Sequence, residues 1–253
     1  MPPISVSIVS YFNTIPIVYG LENYLPQGIV SLHKCVPALC ASKLFSGEVE
    51  MGLIPVGALV NLENYNIVSN YCIGAEGNVA TVELFSQCKL EEIENIYLDP
   101  NSRTSNLLVK ILAEKKWKIN PRWLQPEVGY ENKIKGTTAG VMIGNRVFDH
   151  KDSYNYCIDL AESWIELTGL PFVFACFASL KRMDELFILK FDQAIRQGIE
   201  NTDKAIASHH IDFKFDIKEY LTKNIKFEFD DKKRAAMNLF HEYCRSLNNM
   251  DIS

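Results

Sequence analysis

The chain has 253 residues, of which 47% are apolar, with 26 basic against 31 acidic side chains and a net charge of −5. That is the composition of an ordinary folded protein of one large or two small domains, and the missing basic stripe argues against a nucleic-acid partner. No run approaches the roughly 18 apolar residues of a membrane span, and the first residues lack the basic and apolar regions of an export signal, so a cytoplasmic protein with a small-molecule partner is expected.

The mostly β-branched run from Ile4 to Val9 predicts a strand, followed by the turn Asn13-Thr14-Ile15-Pro16 and a second apolar run. An asparagine beside a hydroxyl, held by a proline, offers an amide and an OH at a strand end, where open α/β sheets bind ligands. An ordinary strand-to-helix turn is the alternative. Gly28 to Leu32 reads as a second strand, and Pro37 opens a helix over Ala38 to Phe45 that Gly47 ends. Glu50 to Pro55 reads as a buried strand whose last residue, Pro55, reaches the same kind of edge.

Ile67 to Ile73 and Ala80 to Phe85 follow as strands around the loop Gly74 to Asn78, which suits either close backbone approach or a plain hairpin. Ile96 to Leu98 ends in Asp99-Pro100-Asn101-Ser102-Arg103-Thr104-Ser105 and then a helix with Leu107, Leu108, Ile111 and Leu112 on one face. Hydroxyls crowded at a helix N-terminus, with its unpaired N–H groups and positive dipole end, suit a carboxylate or phosphate better than a simple cap. Ala139 to Ile143 is a buried strand ending in Gly144-Asn145-Arg146. Cys157 to Thr168 reads as a helix closed by Gly169, Phe172 to Phe177 as an apolar strand, and Ser179 to about Asn201 as a long helix. The tail adds a helix near Ile217 to Leu221, the alternating Ile225, Phe227 and Phe229, and a last helix with Met237, Phe240, Tyr243, Cys244 and Leu247 on one face.

The seven cysteines are odd in number and lie mostly in apolar runs, which fits reduced, buried thiols. His209 and His210 sit in a polar stretch, His33, His150 and His241 are scattered, and all five read as surface residues. No nucleotide-binding glycine pattern, zinc motif or nucleophile elbow occurs, so no metal and no cofactor is expected.

The segments VSYFNTIPIVYGLE (9–22), LFSGEVEMGLIPVGAL (44–59), NSRTSNLLVKILA (101–113), GVMIGNRVF (140–148) and DLAESWIELTGLPFVFACFA (159–178) together resemble the chorismate dehydratase family of the futalosine route to menaquinone. The resemblance implies an α/β, two-lobed fold of the type II periplasmic-binding-protein kind, with the ligand cleft between lobes. Residues 1–84 plus 175–253 would form one lobe and 85–174 the other, joined by crossing strands at Ala80 to Phe85 and Phe172 to Phe177. It implies loss of water from chorismate to give 3-(1-carboxyvinyloxy)benzoate, with Asn13 as a catalytic donor near the reacting carbon. Tyr11, Thr14, Pro55, Thr81, Ser102, Arg103, Thr104, Ser105, Gly144 and Asn145 would bind the substrate. The family's usual serine in the crossing strand is here Thr81, and its usual Ile-Gly-Asp is Ile143-Gly144-Asn145. Since no Asp, Glu or His stands on the matched strand ends, a substrate carboxylate is expected to take the proton. Two rivals remain: the sister enzyme, 1,4-dihydroxy-6-naphthoate synthase, and a non-catalytic solute-binding or sensor module. The oligomeric state is left open.

Overall fold

In a computed structural model describing residues 2–209, 213 and 215–250, with side chains to residue 247, the first apolar run forms β1 (Ile4–Val9). The following Tyr11–Thr14 turn leads into α1 (Ile15–Asn23), whose Pro16 fits the first helical turn, where a missing N–H costs nothing. Next come β2 (Val30–Cys35), α2 (Pro37–Phe45), β3 (Met51–Pro55), α3 (Val56–Leu59) and β4 (Asn66–Ala75). The chain continues through β5 (Val82–Ser86), β6 (Asn95–Tyr97), α4 (Arg103–Leu112), β7 (Arg122–Leu124), β8 (Thr138–Ile143), α5 (Val147–His150), β9 (Tyr156–Asp159) and α6 (Leu160–Thr168). It ends with β10 (Phe172–Ser179), α7 (Glu185–Glu200), α8 (Thr202–Ala207), α9 (Ile217–Glu219), β11 (Lys226–Glu228) and α10 (Asp231–Met250).

Residues 1–74 with 173–231 make one unit, and 75–172 with 232–253 make the other. The first holds a six-stranded sheet in the order β11-β4-β10-β3-β1-β2, in which β1 runs parallel to both β2 and β3. Parallel neighbours put their C-terminal ends on one edge, so the Tyr11–Thr14 turn and Pro55 share it. Helices α1 and α7 meet at Gly20 and Gly198, where a Cβ on either glycine would run into the other helix's backbone. Close approach of this kind buries the apolar faces of both helices, and Phe191 of α7 packs edge-on against Phe177 of β10 at 5.0 Å.

The second unit holds a five-stranded sheet in the order β7-β6-β8-β5-β9. Strands β6 and β8 are parallel, while β5 is antiparallel to β8 and β9. One edge therefore collects the C-terminal ends of β6, β8 and β9 and the N-terminal end of β5. Its core is built on Phe85, Tyr97, Tyr130, Ile134, Met142 and Val147.

The tail helix α10 belongs with this second unit rather than with the first. The physical reason is aromatic: Trp164, fully buried, lies 6.1 Å from Phe240 and 5.9 Å from Tyr243, and Phe172 meets Phe240 at 5.3 Å. Large rings carry much of a core's burial energy, and a face holding both dictates where the helix docks. The first division falls after Gly74, ten residues before the position read from sequence, because β4 is the last strand of the first sheet before the chain passes to the second, and β10 and β11 join that first sheet on the return.

Other expectations shift as well. The stretch from Cys157 is a strand until Asp159, which pairs with Glu83 and then caps α6. The long helix starts at Glu185, where Asp184 accepts a bond from the Phe187 N–H at 2.8 Å. Strands β4 and β5 lie in different sheets, so no hairpin joins them. Cys157 is exposed, while Cys35, Cys40, Cys72, Cys176 and Cys244 are buried. His241 is buried, not on the surface, and His210 lies outside the described residues. No described helix is long and apolar enough to cross a membrane.

Candidate functional site

At the end of β1 the chain makes a short 3-10 turn over Phe12–Thr14. The Thr14 hydroxyl lies 2.7 Å from the Val9 carbonyl and 2.8 Å from that of Tyr11, so its one proton is spent on its own backbone. Thr14 is buried, and its hydroxyl acts as a clip on the turn. The residue that this clip holds out is Asn13. Its amide oxygen is buried and meets no donor among the described residues. An unmet buried acceptor costs about 1–3 kcal/mol, and such groups survive where a ligand supplies the partner. Tyr11 is half-buried beside it, and Pro55 is buried at the end of neighbouring β3.

In the second unit the expected hydroxyls gather at the start of α4. Ser102 has extended backbone and caps the helix, its Oγ accepting from the Ser105 N–H at 3.0 Å. The two serine hydroxyls share one hydrogen bond of 2.8 Å, so one proton of the pair has no acceptor among the described residues. Ser102, Thr104 and Ser105 are buried, and Arg103 is exposed. Gly144 follows β8 with φ 76°, a left-handed backbone that glycine adopts without strain. Its N–H donates to the Thr81 carbonyl at 2.9 Å, tying the Gly144–Asn145 loop to the start of β5. Asn145 is half-buried, and its carbonyl accepts from the Phe148 N–H at 3.3 Å. Thr81 is buried, and its hydroxyl lies 3.5 Å from the Val79 carbonyl.

Two carboxylates that the sequence reading passed over organise this edge. Asp159 caps α6, accepting from Ala161 and Glu162 N–H at 2.9 and 3.0 Å, and its other oxygen accepts from Val79 and Ala80 N–H at 2.9 and 2.8 Å. Ala80 stands at φ 65°, which costs a non-glycine residue about 1 kcal/mol, and the Asp159 carboxylate holds it there. Burial pushes the Asp159 carboxyl up to about 6, against the pull of those N–H groups and with help from nearby Glu83. Glu83 has one oxygen 2.9 Å from Lys151 Nζ and the other buried without a donor among the described residues. Burial raises its carboxyl too.

Asp99, just before the hydroxyl-rich turn, is the second. One of its oxygens accepts from the Asn101 N–H at 2.8 Å, the other from the Ile143 N–H at 3.0 Å and from the Arg146 guanidinium. Burial pushes its carboxyl upward, while Arg146 and the two N–H groups pull back. Arg146 also pairs with Glu131 and donates to the Tyr130 hydroxyl at 2.7 Å. The matched strand ends therefore do carry carboxylates, but both oxygens of Asp99 and of Asp159 are engaged. Asp99 reads from sequence as a turn residue before Pro100, and only the N-capping position of Asp159 leaves a local signal.

A family described as menaquinone biosynthesis matches residues 4–246. Chorismate dehydratase of Campylobacter jejuni is 26% identical over 249 residues, covering 95% of this chain and 97% of the relative. That of Thermus thermophilus is 27% identical, covering 96% and 95%. Among solved structures, protein AF1704 of Archaeoglobus fulgidus aligns with a TM-score of 0.77 at 17% identity, over 97% of this chain and 98% of that one. The Candida albicans CA3427 gene product, described as having the generic periplasmic binding protein fold, aligns at 0.69 with 14% identity, over 97% and 91%. The aliphatic sulphonate binding protein SsuA of Escherichia coli aligns at 0.62 with 12% identity, over 98% and 93%. The fold is thus the periplasmic-binding-protein fold in two α/β lobes, as the resemblance implies.

Proposed function

The chain belongs to the menaquinone-biosynthesis family, and we propose that within it the protein is a chorismate dehydratase. It is a cytoplasmic hydro-lyase that takes water from chorismate to give 3-(1-carboxyvinyloxy)benzoate, with no metal or cofactor. Full-length similarity to two enzymes of that name supports the reading. The observation that carries it is the Asn13 amide, a buried polar group at a strand end whose oxygen has no donor of its own among the described residues.

The ring proton beside the enolpyruvyl ether of chorismate is vinylogously acidic to the ring carboxylate. Its removal spreads negative charge through an extended dienolate, which expels the neighbouring hydroxyl as the ring becomes aromatic. The proton and the departing hydroxide leave as water, so the atoms balance without an oxidant or reductant. Asn13 serves this step as a donor, its NH2 pointing at the growing charge. Its oxygen orients the bound substrate by accepting from the ring hydroxyl before the proton held by the substrate carboxylate joins that hydroxyl as water. Ser102, Thr104 and Ser105, with the N–H groups opening α4, anchor carboxylate, and Tyr11, Pro55, Thr81, Arg103, Gly144 and Asn145 complete the substrate contacts. The base is a carboxylate of the substrate itself. Supporting that assignment, Asp99 and Asp159 have both oxygens committed to N–H donors or Arg146.

The test is conversion of chorismate by the purified protein, with the product identified by mass and NMR. Replacing Asn13 by Ala should lower kcat by about 100-fold or more, the usual loss for one such donor, with KM changed only a few fold. Asn13→Asp should fail as well, because its charge opposes the dienolate. Full turnover in both variants would remove Asn13 from the mechanism. Chorismate left intact by the wild-type protein would refute the reading and make cyclised futalosine the next substrate to try.

A further inference from the structure

We propose that Asp99 is a positioning residue for carboxylate binding, fastening the Ser102–Ser105 turn and the Gly144–Asn145 loop to each other with Arg146 as its counter-charge. This rests on the reading that those two segments anchor the substrate's carboxylates.

The two segments follow β6 and β8, parallel neighbours whose register pairs Tyr97 with Gly140. Sheet pairing stops there, so something else must set the spacing between the loops beyond it. Asp99 is 1% exposed and sits at that point. Its backbone N–H donates to the Asn106 side-chain oxygen at 2.8 Å, and the Asn106 amide donates back to the Asp99 carbonyl at 2.8 Å, which locks the strand end to α4. Its carboxylate then divides between the two arms: one oxygen takes the Asn101 N–H ahead of Ser102, the other takes the Ile143 N–H ahead of Gly144. One rigid group thus fixes its own turn and a loop that begins 44 residues further along the chain.

Arg146 does not look outward for a ligand. Its guanidinium is committed to Asp99, Glu131 and the Tyr130 hydroxyl, and its charge is outnumbered by the two carboxylates it touches. The Tyr130 proton in turn goes to the Val141 carbonyl at 2.5 Å, so the network also grips β8 from within. The role left for Arg146 is to keep a buried Asp99 ionised, because only the carboxylate has acceptors for both arms at once. An amide at position 99 would turn an NH2 toward one of two N–H groups and push that arm away.

Chorismate kinetics and the affinity for 3-(carboxymethoxy)benzoate, a dicarboxylate of the product's outline, test this together in wild type, Asp99→Asn and Arg146→Met. In the variants KM and the probe's Kd should each rise about tenfold or more, with kcat within about threefold. Arg146→Lys, which keeps the charge, should recover most of the affinity. A role confined to stability would lower the melting temperature and the active fraction, leaving KM and Kd unchanged in the folded protein, and that result overturns the proposal. So does a wild-type protein that binds neither ligand. If the wild type binds the probe and the variants lose it, but chorismate is never converted, the dehydratase reading fails while the positioning role stands. Should Asp99→Asn not fold, the two Arg146 variants decide on the same readouts.

Discussion

At the end of β1 a buried amide oxygen meets no donor among the described residues, whereas at the ends of β6 and β9 two buried carboxylates have every oxygen engaged. Both places lie where parallel strands stop, and both carry residues expected to touch substrate. The Asn13 turn spends its hydroxyl on holding itself together and leaves the amide oxygen without a donor among the described residues, a cost in folding that a bound ligand would repay. The edge around Asp99 and Asp159 is already satisfied, so it is rigid before anything binds. A group kept unmet is suited to chemistry, and groups fully met are suited to holding a frame; substituting the first should spare the fold and cost turnover, and substituting the second should cost stability or substrate affinity and spare kcat.

The largest stability effect should come from Asp159→Asn. One amide oxygen can still cap α6, but the NH2 then faces the Val79 and Ala80 N–H groups, and the clasp on the left-handed Ala80 is lost. Leaving those donors unmet should cost about 3 kcal/mol, read as a fall in the denaturant midpoint with the slope unchanged. The pH dependence has a definite sign. The folded Asp159 carboxyl sits at about 6, above its value of about 3.9 in the unfolded chain, so the folded state holds the extra proton between those values. Wild-type stability gains from this residue as pH falls through about 6 toward 4 and loses it as pH rises. The gap between wild type and Asp159→Asn should therefore widen on acidification; a gap constant from pH 7 to pH 4 would show that the carboxyl titrates alike in both states.

Next in size is Thr14→Val, which keeps the shape of the side chain and removes the hydroxyl that clips Asn13's turn to the Val9 and Tyr11 carbonyls. About 1–2 kcal/mol of stability should go with it, and kcat should drop because Asn13 is no longer held in place. Unchanged kcat in a folded Thr14→Val protein would mean that the turn keeps its geometry without the clip.

How much of this was legible before the structure depends on the range of the signal. The first strand and its turn, the hydroxyl cap at Ser102 and the glycine stop at Gly169 are written in neighbouring residues, and β1, α4 and the end of α6 fall within a residue or two of the positions read. The carboxylates that organise the second unit's edge were not legible, because their partners are distant: Arg146 is 47 residues from Asp99, and Ala80 is 79 residues from Asp159. Asp99 before a proline looks like any turn. The helix read from Cys157 fails for a related reason, since pairing with β5, and not local propensity, makes residues 156–159 a strand. The tail helix joins the second unit through Trp164 and Phe172, which no periodicity within the helix announces.

The smallest expected change is the stability of Asn13→Ala, and its sign is the sharpest test of the contrast. Truncation removes an acceptor that has no donor among the described residues, which is worth about 1 kcal/mol or more, and removes a modest amount of packing at a half-buried position, which offsets part of it. The variant should be as stable as wild type or slightly more so, within about 1 kcal/mol, while losing turnover. Chemical denaturation beside the chorismate assay reads both quantities from one preparation. If Asn13→Ala instead unfolds as readily as Asp159→Asn, the amide is a structural partner like the carboxylates, and the division between an idle reactive group and a satisfied frame collapses.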